Sequence, residues 1–108
     1  MNVRKTDLFL ADIEHQYEWY VTEAGWEVAD RYLDSVAAAC HLLSLQPHLG
    51  PLGRFAHPKL RTWRFFLVLR PFSKHILFYE VSGSEVILRR AMHGHRDLPH
   101  RLLETPGG

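Results

Sequence analysis

Several features that mark other protein classes are missing from this sequence of 108 residues. Cysteine occurs once, at Cys40, which excludes an intramolecular disulfide and gives no sign of an oxidising compartment. No apolar run approaches the ~20 residues that cross a bilayer. The acidic residues Asp7 and Asp12 come too early for a secretory signal peptide. We therefore expect a small, soluble, cytoplasmic protein with no membrane contact.

The composition is that of an ordinary globular protein. Hydrophobic residues make up 46% of the chain, which is enough to build a core and gives no support for disorder. The length falls within the commonest domain size of roughly 100–150 residues. We expect one domain over residues 1–104, with residues 105–108 as a frayed tail.

The charge is balanced overall but divided between the two halves of the chain. The formal net charge is +1. Residues 1–50 carry three basic and eight acidic side chains, a balance of −5, whereas residues 51–108 carry ten and four, a balance of +6. A basic half indicates either an acidic or polyanionic partner or a solvated surface that keeps the protein soluble.

Two amphipathic helices are predicted in the acidic half. Thr6 and Asp7 are typical of a helix start, and Gly25 is a typical stop. A second helix is expected from near Trp26 to just before Pro47. The apolar stripe of the first helix comprises Leu10, Ile13, Tyr17, Val21 and Ala24. The stripe of the second comprises Ala29, Leu33, Val36, Cys40 and Leu43.

The basic half has the β-branched and aromatic texture of strands. Strands are predicted at residues 62–69, 74–81 and 86–93, with a short one at residues 3–5. Short connections make the last three an antiparallel meander, because a parallel crossover needs a dozen or more residues. The prediction is an α+β fold of order β-α-α-β-β-β, in which a two-helix antiparallel hairpin packs on one side of a small antiparallel sheet.

Several short segments, taken together in this order, resemble one protein family. They are Ala11-Asp12-Ile13-Glu14 with Tyr17, Ala29-Asp30-Arg31-Tyr32-Leu33, Leu45-x-Pro47-x-x-Gly50, Leu60-Arg61, residues 75–81, and His93-Gly94-His95-Arg96-Asp97-Leu98. The resemblance is to the ParE branch of the ParE/RelE toxins, the toxic halves of bacterial type II toxin–antitoxin pairs. It implies the fold predicted above, a cognate antitoxin and an essential bacterial target.

The two branches of this family differ in mechanism, since ParE members poison DNA gyrase and RelE members cleave messenger RNA on the ribosome. In the RelE branch the chemistry rests mainly on Lys and Arg of the sheet, with an aromatic or His residue near the C-terminus. Aligning Tyr79 places Ile76 where RelE carries an arginine, and residues 99–108 contain no Tyr or Lys. The resemblance therefore implies a gyrase inhibitor with no catalytic residues, which meets DNA only through antitoxin or gyrase.

The histidines keep a second interpretation open. A ribosome-dependent endoribonuclease would use His93 and His95 as acid and base and Arg96 to hold phosphate. An inactive relative that only binds antitoxin is a third interpretation. The His93-x-His95 spacing also brings two imidazoles together, but no Cys and no carboxylate beyond Asp97 lies nearby in the sequence. We expect neither a metal nor a cofactor.

Arginines of the basic half are the candidate contacts with gyrase or antitoxin. The candidates are Arg61, Arg64, Arg89, Arg90 and Arg96. Because side chains alternate along a strand, Arg89 and Arg90 are expected on opposite faces, as are Arg61 and Arg64. Half of them can then form one patch with Arg96. The alternative is cross-strand ion pairs with Glu80 or Glu85, worth under ~1 kcal/mol each when exposed.

An antitoxin has a physical rationale as well. A small sheet with an open face and edge strands offers a groove for an added strand or an amphipathic helix. The basic half attracts an acidic tail and speeds its association. We expect the antitoxin to wrap this chain with a C-terminal helix and an extended segment.

Overall fold

The order of the elements matches the prediction. The computed structural model describes residues 1–94 and 98–104. Its elements are β1 (Asn2–Lys5), α1 (Asp7–Ala24), α2 (Trp26–Leu45), the 3₁₀ turn Pro58–Leu60, β2 (Arg64–Leu67), β3 (His75–Ser82), β4 (Glu85–His93) and α3 (Leu98–Leu102). The α+β fold is therefore confirmed, and the short helix α3 is an addition to it.

The helical hairpin begins, turns and ends where the sequence predicts. The Phe9 backbone N–H donates to the Thr6 hydroxyl at 3.1 Å, which caps α1. Gly25 separates the helices with φ 92°, in the left-handed region that favours glycine. Across the hairpin, the Tyr17 hydroxyl donates to Asp30 at 3.0 Å. No helix among the described residues has the length and apolarity to span a membrane.

The inward face of α1 differs from the predicted stripe. Leu10 and Ala24 are exposed, whereas Phe9 and Asp12 are buried. The apolar pattern of the sequence does not indicate this face, because the carboxylate of Asp12 lies at its centre. The predicted stripe of α2 is confirmed at Ala29, Val36, Cys40 and Leu43, which are all buried, and Tyr32 joins them.

The sheet has the strand order β1-β4-β3-β2. The meander of β2, β3 and β4 is antiparallel, as predicted. β1 pairs with β4 in parallel, with Val3 opposite Val86, so the complete sheet is mixed. The helical hairpin explains this difference, because it supplies the long connection that a parallel pair requires.

Both faces of the sheet are buried within the described part of the chain. Helices cover one face and form the helix-side core, which includes Phe9, Tyr32, Val36, Leu43, Leu77, Tyr79 and Leu88. The other face carries the loop-side core, which comprises Leu60, Trp63, Ile76, Phe78, Met92 and Leu102. The predicted open face is therefore wrong, since residues 51–63 and α3 cover it.

Candidate functional site

Arg90, a candidate for partner binding, lies inside the protein. It is 1% exposed, and its guanidinium donates to both carboxylate oxygens of Asp12, at 2.7 and 2.9 Å. Its Nη1 donates to the backbone carbonyls of Leu102, at 2.9 Å, and Glu104. Asp12 also accepts the Ala91 backbone N–H at 2.9 Å. This fork joins α1, β4 and α3, so Arg90 has a structural role and no surface for a partner.

Arg89 lies on the same side of the sheet as Arg90, contrary to the expected alternation. Phe78 pairs with Arg90 and Tyr79 with Leu88, which leaves Arg89 as an extra residue in a β-bulge. Both arginines line one pocket with Trp63 and Leu102 of the loop-side core. The predicted opposite faces are wrong because the bulge interrupts the alternation.

The predicted ion-pair alternative holds for Arg89. Its guanidinium donates to Glu80 Oε2 through Nη2 at 2.6 Å and through Nε at 2.9 Å. The same carboxylate accepts the Thr62 hydroxyl. Arg89 is therefore partly neutralised within the chain.

Arg64 holds a loop rather than offering a free charge. Its Nη1 donates to the Gly50 carbonyl at 2.8 Å. Beside it, the Tyr79 hydroxyl donates to the Pro47 carbonyl at 2.8 Å and accepts the Gly50 N–H at 2.9 Å. Burial raises the pKa of Tyr79, and a side chain at position 50 would meet its hydroxyl at 2.8 Å. The Leu45-x-Pro47-x-x-Gly50 motif thus seats the end of α2 on the sheet.

Three exposed cations lie in the loop before β2, while others are exposed elsewhere, such as Lys5, Arg31, Arg70 and Lys74. The three in the loop are Arg61, together with Arg54 and Lys59, which the sequence did not single out. None of the three side chains has a hydrogen-bond or ion-pair partner among residues 1–94 and 98–104. We call Arg54, Lys59 and Arg61 the basic loop. In the sequence, the basic loop is indicated by several cations within a segment rich in Gly and Pro. Such a segment is not expected to pair as a strand, so its cations are not expected to form cross-strand ion pairs.

The opposite charge collects on the helical hairpin. Its exposed carboxylates without an ion pair in the described structure are Asp7, Glu14, Glu18, Glu23, Glu27, Asp30 and Asp34. The division of charge along the chain is thus also a division in space, between helices and loop.

Of the three residues predicted for a ribonuclease, His93 alone falls in the described part of the chain; His95 and Arg96 lie outside it. His93 is exposed at the end of β4, with its ring centroid 4.8 Å from that of His75. His75 is buried, and its Nε2 lies 2.8 Å from the Tyr20 hydroxyl oxygen. Burial and the neighbouring His93 lower the pKa of His75 to about 4, so it is neutral at physiological pH.

No group of three or more metal-binding side chains occurs within residues 1–94 and 98–104. The exposed charged and aromatic side chains of the described residues can recognise a partner by charge and shape. The surfaces available for this recognition are the basic loop, the acidic hairpin and the neighbourhood of His93.

Both the sequence and the fold are similar to those of known proteins. A family profile, "ParE toxin of type II toxin-antitoxin system, parDE", matches residues 3–98. Among solved structures, a chain from the chromosomal ParDE toxin–antitoxin system of P. aeruginosa is similar with a TM-score of 0.72. The similarity covers 88% of this chain and 97% of that chain at 20% sequence identity, which establishes a shared fold. No curated protein matches the sequence. With the family profile spanning nearly all of the described residues, the chain belongs to the ParE toxin family of type II toxin–antitoxin systems.

Proposed function

We propose that this ParE toxin inhibits DNA gyrase through protein contact, and that a cognate antitoxin neutralises it. Membership of the ParE family supports the toxin role. The similar P. aeruginosa chain belongs to a ParDE toxin–antitoxin system. The same arrangement here gives this toxin an antitoxin partner.

Apolar side chains fill the loop-side face of the sheet. This observation favours an inhibitor over a ribonuclease. A sheet that cleaves RNA presents cations to the phosphate, because the transition state gains negative charge. Here Ile76, which is 2% exposed, lies near the start of β3, the middle strand of the meander, and packs with Phe78 and Met92. Arg89 and Arg90 on the same face are engaged by Glu80 and Asp12. The described part of this face therefore favours protein contact over phosphate chemistry.

The basic loop is the surface that we assign to the antitoxin. Its unpaired cations attract an acidic segment and speed its association. The loop adjoins β2, whose outer edge is covered at its start, where the Phe65 N–H donates to the Pro51 carbonyl at 3.0 Å. Leu67 and Leu69 beyond that point are exposed. An extended antitoxin segment would add along this end of β2, with its acidic residues on the basic loop.

The gyrase proposal is tested by inducing the chain alone in bacterial cells and examining plasmid DNA and messenger RNA. We expect broken DNA with an SOS response and intact transcripts. Rapid transcript cleavage with intact DNA would contradict the proposal and support a ribosome-dependent endoribonuclease, for which the exposed His93 is the favouring observation. Normal growth with neither effect would indicate an inactive relative that only binds antitoxin.

Substitution of two histidines separates the same alternatives. The double variant His93→Ala and His95→Ala should abolish toxicity if the protein is a ribonuclease, because it removes the candidate acid and base. For a gyrase inhibitor we expect a weakened but persistent toxicity. Colony counts after induction at matched protein levels measure the difference.

The antitoxin surface is tested by reversing the charge of the basic loop. We expect the triple variant Arg54→Glu, Lys59→Glu and Arg61→Glu to bind the co-encoded antitoxin more slowly and more weakly. The matched control reverses Arg4, Lys5 and Arg31, the three basic residues of the acidic half, and changes the net charge equally. Equal loss in both variants would show a general charge effect and contradict the assigned surface.

A further inference from the structure

A small pocket lies between α1 and the end of β4. His15, Gln16, Trp19 and His93 line it, and its volume is about 290 Å³. This volume is close to the lower end of ligand pockets, roughly 300–1,000 Å³. His15, Gln16 and Trp19 come from one side of α1, whereas His93 comes from the strand end. We call this the histidine pocket.

A continuous series of ring contacts connects the two aromatic walls of the histidine pocket, from Trp19 to His93. The Trp19 ring meets Tyr20 edge to face at 5.3 Å between centroids. The Tyr20 hydroxyl oxygen lies 2.8 Å from Nε2 of the buried His75. The His75 ring in turn contacts His93 at 4.8 Å. The walls are thus fixed before a ligand arrives, which reduces the ordering entropy lost on binding.

The polar atoms around the histidine pocket have hydrogen-bonding capacity to spare. Within the described residues, the side chains of His15, Gln16 and His93 have no hydrogen-bond partner. Trp19 is 53% exposed. A flat indole, an amide and two imidazoles therefore converge on one space. An indole stacks on planar rings, an amide pairs with a base edge, and imidazoles donate to phosphate oxygens.

Among the described residues, the charged side chains next to His93 are positive, although the helical hairpin as a whole is acidic. Glu14 and Glu18, although adjacent in sequence, line a different pocket with Tyr17 and Trp26, on the outer side of the hairpin. At the end of β4, Arg101 Nη2 donates to the His93 backbone carbonyl at 3.2 Å, although Arg101 does not line the histidine pocket. Lys74, which is exposed, lies beside this strand end, since its carbonyl accepts the Gly94 N–H at 3.0 Å. Lys74 therefore places an exposed positive charge near His93, whereas Glu14 and Glu18 line the other pocket.

We propose that the histidine pocket binds a nucleotide. The base stacks on Trp19, the Gln16 amide pairs with its edge, and His15 and His93 donate to the phosphate. The ligand chemistry is that of a nucleoside monophosphate, whether free or as one residue of a single strand. The proposal involves no bond cleavage and stands independently of gyrase inhibition.

Nuclear magnetic resonance of the indole N–H groups tests the proposal, because the chain has only three tryptophans. On titration with AMP, the Trp19 signal should shift, while Trp26 and the buried Trp63 stay in place as internal references. Adenosine and inorganic phosphate should each shift Trp19 less than AMP does, since each lacks half of the contacts. An oligodeoxyadenylate, which has no 2′-hydroxyl to cleave, distinguishes strand binding from binding of the free nucleotide alone.

Variants fix the position of the site. Trp19→Ala, followed through the Gly94 amide, should raise the dissociation constant for AMP roughly 5- to 150-fold, the range expected for one base stack. His15→Ala should also weaken binding, whereas His41→Ala, an exposed histidine on α2, should not. Unchanged spectra elsewhere confirm that the variants are folded.

Three results would overturn the proposal. One is inorganic phosphate binding as tightly as AMP, which would show that the base contributes nothing. Another is AMP moving the Trp26 signal as far as that of Trp19. The last is an absence of any shift at millimolar AMP.

Discussion

The two faces of the sheet are buried by different means. The helix-side core lies under two long regular helices, whereas the loop-side core lies under an irregular segment and the five-residue helix α3. The Arg90–Asp12 pair, which joins residues 78 positions apart, connects these two layers. Regular elements bury one face through their periodicity, while the other face depends on a few long-range polar contacts.

The largest loss of stability should come from breaking the Arg90–Asp12 pair. Asp12→Ala leaves the Arg90 guanidinium buried without its counter-charge, and we expect a loss of about 3–5 kcal/mol in the free energy of unfolding. The double variant Asp12→Leu and Arg90→Met should recover much of it, because neither charge then remains buried. Urea denaturation measures both. A loss below ~1 kcal/mol for Asp12→Ala would mean that the pair does not hold the layers together.

Truncation of one leucine on each side tests whether the two layers unfold together. Leu43 and Leu102 are both fully buried, so each change to Ala should cost roughly 2–5 kcal/mol where the cavity cannot collapse. We expect Leu43→Ala to destabilise the whole protein and Leu102→Ala to cost less, because short α3 can readjust. In the Leu102→Ala variant, backbone amide hydrogen exchange should accelerate at residues 58–63 only. Equal costs would make the loop side part of one cooperative unit.

Acid should weaken the helix side through His75, which faces Tyr20, Tyr32 and His93. Its folded pKa of about 4 lies below the unfolded value of 6.5, so the unfolded state takes up the proton first. Stability is complete above about pH 6.5 and falls as the pH drops toward 4.

We expect about 2 kcal/mol to be lost between pH 7 and pH 5 from this group. The pH dependence of unfolding, compared between the natural chain and His75→Phe, isolates it. The slope over this range should flatten in the variant. Identical slopes would place the titrating group elsewhere.

The smallest loss of stability should follow from substitution of Arg89, the other arginine on the loop side. Arg89→Met removes a half-exposed ion pair with Glu80, and we expect under ~1 kcal/mol of destabilisation. Comparison with Asp12→Ala shows how strongly burial changes the contribution of two neighbouring arginines to the free energy of unfolding. A cost equal to that of Asp12→Ala would remove this distinction.

The sequence predicts the helical hairpin well, apart from the inward face of α1, and predicts the loop side poorly, for physical reasons. Capping at Thr6, the break at Gly25 and the stripe of α2 are local signals, and the structure confirms them. Asp12 was not predicted to be buried because its partner Arg90 is distant in sequence. The bulge at Arg89 likewise depends on the register with β3, which no local pattern reveals.

The candidate site was predicted only in part for the same reason. Arg61 is exposed as a binding residue must be, but Arg64 holds the Gly50 carbonyl and Arg90 is buried. Arg54 and Lys59 could not be predicted, because no local pattern distinguishes an unpaired cation in a loop from a paired one. The residue types predicted that this half of the chain is basic. Only the structure, through the partners of each side chain, shows which of its charges are unpaired.

Gyrase inhibition is tested most directly with purified components, by incubating the toxin with DNA gyrase, ATP and relaxed plasmid. We expect supercoiling to fall as toxin is added and to return when the co-encoded antitoxin is present. Unchanged supercoiling, combined with cleavage of messenger RNA when the toxin is added to translating ribosomes, would contradict it.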